Sequence, residues 1–205
     1  MKKYSKEIAT ALSRFLKEED WSYYFDDEKG TFNFHAMLRG SIKFILYEII
    51  VNEKDYTVYV ISPVSAENDD SVQKQRLAEF VCRANWGLRD GDFELDMRDG
   101  ELRFKTYVNC DGITLNDRII HRSIHLPASV MIHYSDGIIR LLNTDLDAES
   151  AVSMCEDSPP HKELREDEPE QSELIEDDII QLFSNITESD GQAADDGETE
   201  ENVPI

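Results

Sequence analysis

The acidic residues of this chain are concentrated in its last third. Residues 144–205 contain 21 acidic and only 2 basic residues, a net charge of −19, whereas residues 1–143 carry a net charge of −4. Phe183 is the single aromatic residue after position 143, and four of the six prolines lie there. A segment with so little apolar area cannot bury enough of it to offset the conformational entropy lost on folding, and its negative charges repel one another. The sequence therefore predicts a folded domain at 1–143 and a mostly disordered acidic tail at 144–205.

The overall charge and the cysteine pattern limit the classes of function. A 205-residue chain with a net charge of −23 is not attracted to nucleic-acid phosphates or to anionic lipid. No stretch approaches the roughly 18 apolar residues that span a bilayer, and the basic start is not followed by the apolar run of a signal peptide. The three cysteines form no C-x-x-C pair, which is typical of a reducing compartment. We expect a cytoplasmic protein that binds neither nucleic acid nor membrane.

The apolar pattern of the first 61 residues changes from a helical period to a strand period. Residues three and four positions apart first form one helix face: Tyr4, Ile8, Leu12 and Phe15. From Thr31 the period becomes two, with Phe32, Phe34, Ala36 and Leu38 on one side. Ser41–Val51 is rich in β-branched and aromatic residues, and Tyr56–Ile61 makes a third strand before Pro63. Short connections between the three strands predict an antiparallel meander.

A second helix, a hairpin and a long helix follow. Asp70 or Ser71 is the expected N-cap of the second helix, and the apolar face of this helix is Leu77, Phe80, Val81 and Ala84. Alternating apolar residues on both sides of Arg98–Gly100 predict a hairpin. A helical pattern covers 116–142, and Pro127 is expected to kink this helix or to begin a second one there. The order α-β-β-β-α-β-β-α predicts an α+β fold with an antiparallel sheet packed on helices.

The segment Arg76–Val108 carries a more specific pattern. A helix ends near Asn85, Gly91 precedes a strand, and a D-x-x-x-G link from Asp96 to Gly100 joins two strands. In this pattern and in its element order, the chain resembles the YbjN-like family over residues 5–143. The resemblance implies a type III secretion chaperone-like fold and a regulatory or stress-linked role without an accepted catalytic activity. It does not extend to the acidic tail.

Two groups of residues suggest metal chemistry, and both have a simpler interpretation. His121 and His125 lie four apart on a predicted helix, but the H-E-x-x-H motif of zinc proteases needs a glutamate where Arg122 stands. We interpret them as histidines at the solvent edge of the helix. Four aspartates with neighbouring glycines do not follow the EF-hand register, and they favour turns instead: Asp90, Asp92, Asp96 and Asp99.

The cysteines and the remaining motifs give no catalytic signature. Cys82 follows the apolar face of the second helix and is expected to be a buried, unreactive thiol, whereas Cys110 lies in a loop beside Asp111. The common nucleotide-binding and hydrolase motifs do not occur in the sequence. We therefore predict no enzyme, no catalytic residue, no cofactor and no metal ligand.

One apolar segment lies inside the acidic tail, at 173–186. Its aliphatic residues are spaced by four, three and four, which is one face of a helix, and an aromatic residue lies beside them: Ile175, Ile179, Leu182, Ile186 and Phe183. Acidic residues cluster at the N-terminal end, where the helix dipole favours them. A short acidic helix of this kind is marginal alone. We interpret these five residues as a partner-binding face, against the alternative of a chance apolar island.

The leading hypothesis is a non-catalytic protein-interaction or regulatory adaptor that binds a protein or peptide partner. An alternative, by analogy with secretion chaperones, is a homodimeric chaperone that holds an unfolded client segment. A third, less favoured hypothesis is a small metal-dependent enzyme or sensor that uses Asp92, Asp96, Asp99 or the pair His121 and His125.

Overall fold

The computed structural model describes residues 3–157. The elements are α1 (Lys6–Glu18), β1 (Tyr24–Asp26), β2 (Thr31–Met37), β3 (Phe44–Val51), β4 (Asp55–Ile61), α2 (Ser71–Gly87), β5 (Asp92–Leu95), β6 (Leu102–Asn109), α3 (Asp117–Asn143) and α4 (Ala148–Glu156). The strands form a six-stranded sheet of order β1-β2-β3-β4-β6-β5 in which every neighbouring pair is antiparallel. The predicted α+β class and the antiparallel sheet are confirmed.

One face of the sheet forms the core with the helices. The alternation predicted for the strands is present, and the core-facing residues include Phe34, Tyr47, Val58 and Phe104, each at most 1% exposed. Leu12 from α1, Phe80 from α2 and Ile124 and Met131 from α3 lie in the same cluster and are fully buried. Burial of large apolar side chains on one sheet face is the main contribution to the stability of such a two-layer domain.

α3 is one continuous helix, and Pro127 neither ends it nor begins a second helix. A proline has no N–H to donate to the carbonyl four residues earlier, which here is that of Ser123. The buried Thr106 hydroxyl on β6 donates to this Ser123 oxygen at 2.9 Å. At the next residue of the helix, the Tyr47 hydroxyl donates to the Ile124 carbonyl at 2.8 Å. The sheet therefore supplies a hydrogen bond that the helix lacks at the proline.

This arrangement predicts coupling between Thr106 and Pro127. Thr106→Val should lower the free energy of unfolding by about 1–2 kcal/mol, because a buried carbonyl loses its donor. In a Pro127→Ala background the helix N–H replaces that donor, so Thr106→Val should have a clearly smaller effect. A double-mutant cycle by urea unfolding measures the difference. An equal loss in both backgrounds would show that the hydroxyl does not substitute for the missing helix hydrogen bond.

The structure adds two elements to the predicted order. The three-residue β1 pairs with β2 at the sheet edge. α4 lies in the segment that the sequence analysis assigned to the tail, so that assignment is corrected for residues 144–157. α4 buries Ala148, Ala151, Val152 and Cys155. It is capped by Asp147, whose side chain accepts from the Ser150 N–H at 2.8 Å. Small apolar residues therefore form a packed helix within a strongly acidic segment.

α4 packs closely on α3 because Gly137 has no side chain. A Cβ at Gly137 would lie 2.7 Å from both the Ala151 carbonyl oxygen and the Cys155 sulfur. The link that leads to α4 is held by Arg76 of α2, whose guanidinium donates to the carbonyls of Thr144 and Leu146 at 2.8 and 2.6 Å. The folded part of the chain therefore extends beyond the predicted boundary at residue 143.

Candidate functional site: the outer face of the sheet

The sheet face opposite the helices, here called the outer face, is formed by the alternate side chains of all six strands. One row across it is Tyr24, Asn33, Glu48, Tyr59, Lys105 and Asp92. A parallel row is His35, Leu46, Ile61, Arg103 and Glu94, and the next row on the other side includes Ile50 and Tyr107. Among residues 3–157, the apolar members of these rows are not part of the helix–sheet core.

The outer face has an aliphatic centre and exposed aromatic or methionine residues around it. Leu46 and Ile61 in the centre are buried by their neighbours. Tyr24, Met37 and Tyr107 are exposed by 57%, 49% and 58%, which is high for large apolar side chains. Tyrosine, methionine and arginine are enriched in protein–protein interfaces. This composition is typical of a surface that binds another polypeptide.

Besides Glu48 of β3, the outer face carries a cluster of charges at its β5–β6 side, and these are paired with one another. Glu94 accepts from Arg103 Nε at 2.8 Å and from the Lys105 ammonium, and Lys105 also pairs with Asp92 at 3.2 Å. The Arg103 guanidinium lies 4.2 Å from the centre of the Tyr59 ring. Partial burial would by itself raise the pKa of Glu94, but the hydrogen bonds from Lys105 and Arg103 lower it below its ordinary value. These ion pairs leave little uncompensated charge on the face.

The partner-binding residues predicted from the sequence lie outside the described residues. Ile175, Ile179, Leu182, Phe183 and Ile186 all fall beyond residue 157. The outer face was not predicted as a site. A sign of it exists in the sequence, because β3, β4 and β6 carry Leu46, Ile50, Tyr59, Ile61 and Tyr107 at the positions that alternate with the core residues.

The two helical histidines differ in their exposure. His121 is exposed, whereas His125 is half-buried, and its buried Nε2 atom has no hydrogen-bond partner. The two rings stack with centroids 4.1 Å apart, and the Trp21 ring lies edge-on to His125 at 6.1 Å. Burial, with a smaller effect of His121, lowers the pKa of His125 to about 4. At neutral pH His125 is thus an uncharged, half-buried ring in an aromatic cluster, and only His121 is exposed.

The four aspartates between positions 90 and 99 bind protein groups. Asp90 pairs with Arg122, and Asp92 with Lys105. Asp96 accepts from the Arg98 N–H at 2.8 Å, and Asp99 accepts from the Glu101 N–H at 2.9 Å. Within residues 3–157, no group of three or more potential metal ligands lies together. The metal-dependent hypothesis therefore has no ligand set in the described part of the chain.

The glycine and aspartate pattern near the hairpin has a structural explanation. The Asn85 side chain forms two hydrogen bonds with the backbone of Phe93, donating to its carbonyl at 2.9 Å and accepting from its N–H at 2.8 Å. The Gly100 N–H donates to the Asp96 carbonyl at 2.8 Å, which closes the D-x-x-x-G turn. The buried Lys74 ammonium of α2 donates to the carbonyls of Met97 and Arg98 at 3.1 and 2.7 Å. The pattern thus fixes the α2–hairpin contact rather than forming a site.

Two side chains of α2, those of Cys82 and Trp86, are exposed. Cys82, predicted to be buried, is exposed, whereas Cys110 is half-buried and Cys155 of α4 is buried. Trp86, which the sequence analysis did not single out, is 93% exposed at the end of the helix. Trp86 lies on the side of α2 opposite the apolar stripe of Leu77, Phe80, Val81 and Ala84. Its position in the sequence therefore indicates that its side chain is exposed.

The chain belongs to the YbjN family. The family model, described as "Putative bacterial sensory transduction regulator", matches residues 9–122, which is more than half of the chain. The matched range runs from α1 into α3 and contains all six strands. The predicted family membership is confirmed. No curated protein matches the chain.

One solved structure is similar to part of this chain. It is described as "YbjN, a putative transcription regulator from E. coli". Its sequence is 11% identical to this one, the TM-score is 0.44, and the similarity covers 62% of this chain and 90% of that chain.

None of the helices within residues 3–157 is long and apolar enough to cross a membrane.

Proposed function

We propose that this member of the YbjN family is a non-catalytic regulatory adaptor that binds a protein or peptide partner on the outer face of its sheet. One observation carries the proposal. Tyr24, Met37 and Tyr107 are each about half exposed, and they surround an aliphatic centre that lies outside the helix–sheet core. The family description of a sensory transduction regulator supports a role in regulation.

The size and charge of the outer face indicate the chemistry of the partner. Six strands about 4.8 Å apart, with residues rising about 3.4 Å each, make a face of roughly 25 by 20 Å. This projected area of about 500 Å² is more than half of the roughly 800 Å² that a standard protein–protein interface buries on each partner. Arg103 and Lys105 are already paired with carboxylates, so the face does not offer free cations to a phosphate. The partner is a polypeptide that presents apolar side chains.

The apolar segment of the tail is the second part of the proposal. Ile175, Ile179, Leu182, Phe183 and Ile186 form the face that a partner recognises as a helix in a groove. The free cysteines of the chain are compatible with action in the reducing cytoplasm. Deletion of residues 170–190 should weaken capture of the partner. If the deletion changes neither binding nor stability, the tail segment has no part in recognition.

The decisive experiment compares two pairs of threonine substitutions. A photo-crosslinking residue at Tyr107 captures the partner in cells, and the purified partner is then titrated with the full chain. Tyr24→Thr with Tyr107→Thr should weaken binding at least tenfold, because aromatic side chains are frequent interface hot spots. Val72→Thr with Ile113→Thr is the control, since these residues are exposed by 64% and 49% at other surfaces. Equal binding by both double variants would refute a role of the outer face.

The same exposed face also suits the chaperone alternative, and two measurements separate the functions. A chaperone should bind a reduced, carboxymethylated protein that cannot fold, and should do so as a homodimer. An adaptor should ignore this unfolded probe and bind its folded partner. Sedimentation equilibrium of the full chain gives the mass. Binding of the unfolded probe that is lost in the Tyr24→Thr and Tyr107→Thr variant would favour the chaperone.

A further inference from the structure

Trp86 is the most exposed of the large apolar side chains in residues 3–157, at 93%. It occupies the last turn of α2, on the side that faces away from the core. Tryptophan is rare on a free surface, and it is among the residues that contribute most to binding when a partner covers it. The outer face is built from strand residues, so Trp86 belongs to a different surface.

A carboxylate lies beside the residue that follows this tryptophan, namely that of Glu156, which also accepts a hydrogen bond from the Tyr134 hydroxyl at 3.1 Å. The Cβ position of Gly87, the residue after Trp86, is 3.4 Å from the Glu156 Oε1 atom at the end of α4. Glu156 and Asp157 are both exposed. Arg83, one turn before Gly87, is paired with Glu79 at 2.9 Å and with Glu149 at 3.1 Å, so its charge is compensated. The chain then continues into residues 158–205, which contain 16 acidic and 2 basic residues.

We propose that Trp86, Glu156 and Asp157 form a docking point for a cationic segment of a partner protein, one that carries arginine or lysine. The exposed indole face attracts a guanidinium or ammonium group through its quadrupole, and arginine is the commoner partner in such contacts. The carboxylates accept hydrogen bonds from the same cation. The net charge of −23 increases the rate at which a cationic segment meets the protein.

Arg89 is the charged group that opposes this binding. It is exposed three positions after Trp86, and it has no ion-pair partner among the described residues. A cationic ligand is repelled by it. Arg89→Gln should therefore bind the ligand more tightly than the natural chain does.

The test uses the full chain and acetylated, amidated tetra-arginine as the probe. Binding should quench the fluorescence of Trp86 and give a Kd by titration calorimetry. Trp86→Leu should weaken the Kd about fivefold or more, the change expected from losing a cation–π contact, and Trp86→Phe should fall between Leu and the natural chain. The double variant Glu156→Gln with Asp157→Asn should weaken it further. An uncharged tetra-glutamine peptide should not bind.

Trp86→Leu is informative because it leaves the charge of the chain unchanged. If it binds tetra-arginine as tightly as the natural chain, the peptide is held by acidic residues elsewhere and the proposal is wrong. If Trp86→Leu changes the mass of the free chain in sedimentation, a second copy covers the tryptophan, and the proposal is equally wrong. Trp21→Phe is the matched control, because Trp21 packs on Phe34 with ring centroids 5.1 Å apart. If the proposal for Trp86 is refuted, the proposal for the outer face is unaffected, because the two concern different surfaces.

Discussion

Replacing Gly100 with alanine should lower the free energy of unfolding by about 3 kcal/mol or more. Gly100 has a φ of +85°, a region that costs an L-residue about 1–2 kcal/mol. A Cβ at this position would also lie 2.4 Å from the Ala66 carbonyl oxygen. That oxygen belongs to a backbone segment, and the Ala66 N–H donates to the Gly100 carbonyl at 3.2 Å, so relief of the overlap requires this pairing to break. Urea unfolding at neutral pH measures the loss.

Gly112→Ala provides a matched control for this variant. Gly112 has a similar φ of +74°, but no atom lies within 4 Å of its Cβ position. Its substitution should therefore show the backbone strain alone, about 1 kcal/mol. The difference between the two variants isolates the contact between the hairpin turn and residue 66. Equal losses for both would mean that this close contact does not exist in solution.

Acidification should destabilise the protein through His125. Its pKa of about 4 in the folded chain is below the ordinary value of 6.5, so the unfolded chain binds more protons between these values. The stabilising contribution is complete above pH 6.5 and is lost as the pH falls towards 4. We expect a loss of about 2 kcal/mol, reduced from the full linkage value because the ring is partly exposed. Unfolding curves at several pH values measure it.

Two variants separate His125 from the other titrating groups. His125→Phe keeps an aromatic ring against Trp21 and has no proton to bind, so this part of the pH dependence should disappear. His121→Gln should keep most of it, because burial is the main cause of the low pKa and the charge of His121 is the lesser one. A pH dependence that is unchanged in His125→Phe would show that other groups cause it.

The sequence predicted the parts of the fold that depend on regular alternation. β2, β3, β4 and β6 are long strands whose core-facing residues recur with period two, and α2 is capped by Asp70, one of the two N-cap residues predicted. β1 was missed because three residues are too few to show a period. α4 was missed because its stripe consists of small residues surrounded by acidic ones. Both missing elements depend on tertiary contacts rather than on local pattern.

The continuity of α3 at Pro127 and the exposure of the residues at the candidate sites were harder to predict, because they depend on contacts between elements that are distant in the sequence. The donor that replaces the missing proline N–H comes from Thr106, twenty-one positions earlier, and sequence spacing does not show such a contact. The exposure of Trp86 and the burial of His125 likewise follow from packing between elements. The apolar residues of the outer face were visible as strand residues, but only the sheet order shows that they lie together.

The hydrogen bonds of Asn85 also affect how the protein behaves at high concentration. Exposed sheet edges are templates for fibril growth, because their free N–H and carbonyl groups pair with a further strand. Here the edge strand β5 has four residues, and the Asn85 amide already occupies the N–H and carbonyl of Phe93. The opposite edge strand, β1, has three residues. Asn85 therefore blocks the pairing of a further strand with Phe93 at this edge of the sheet.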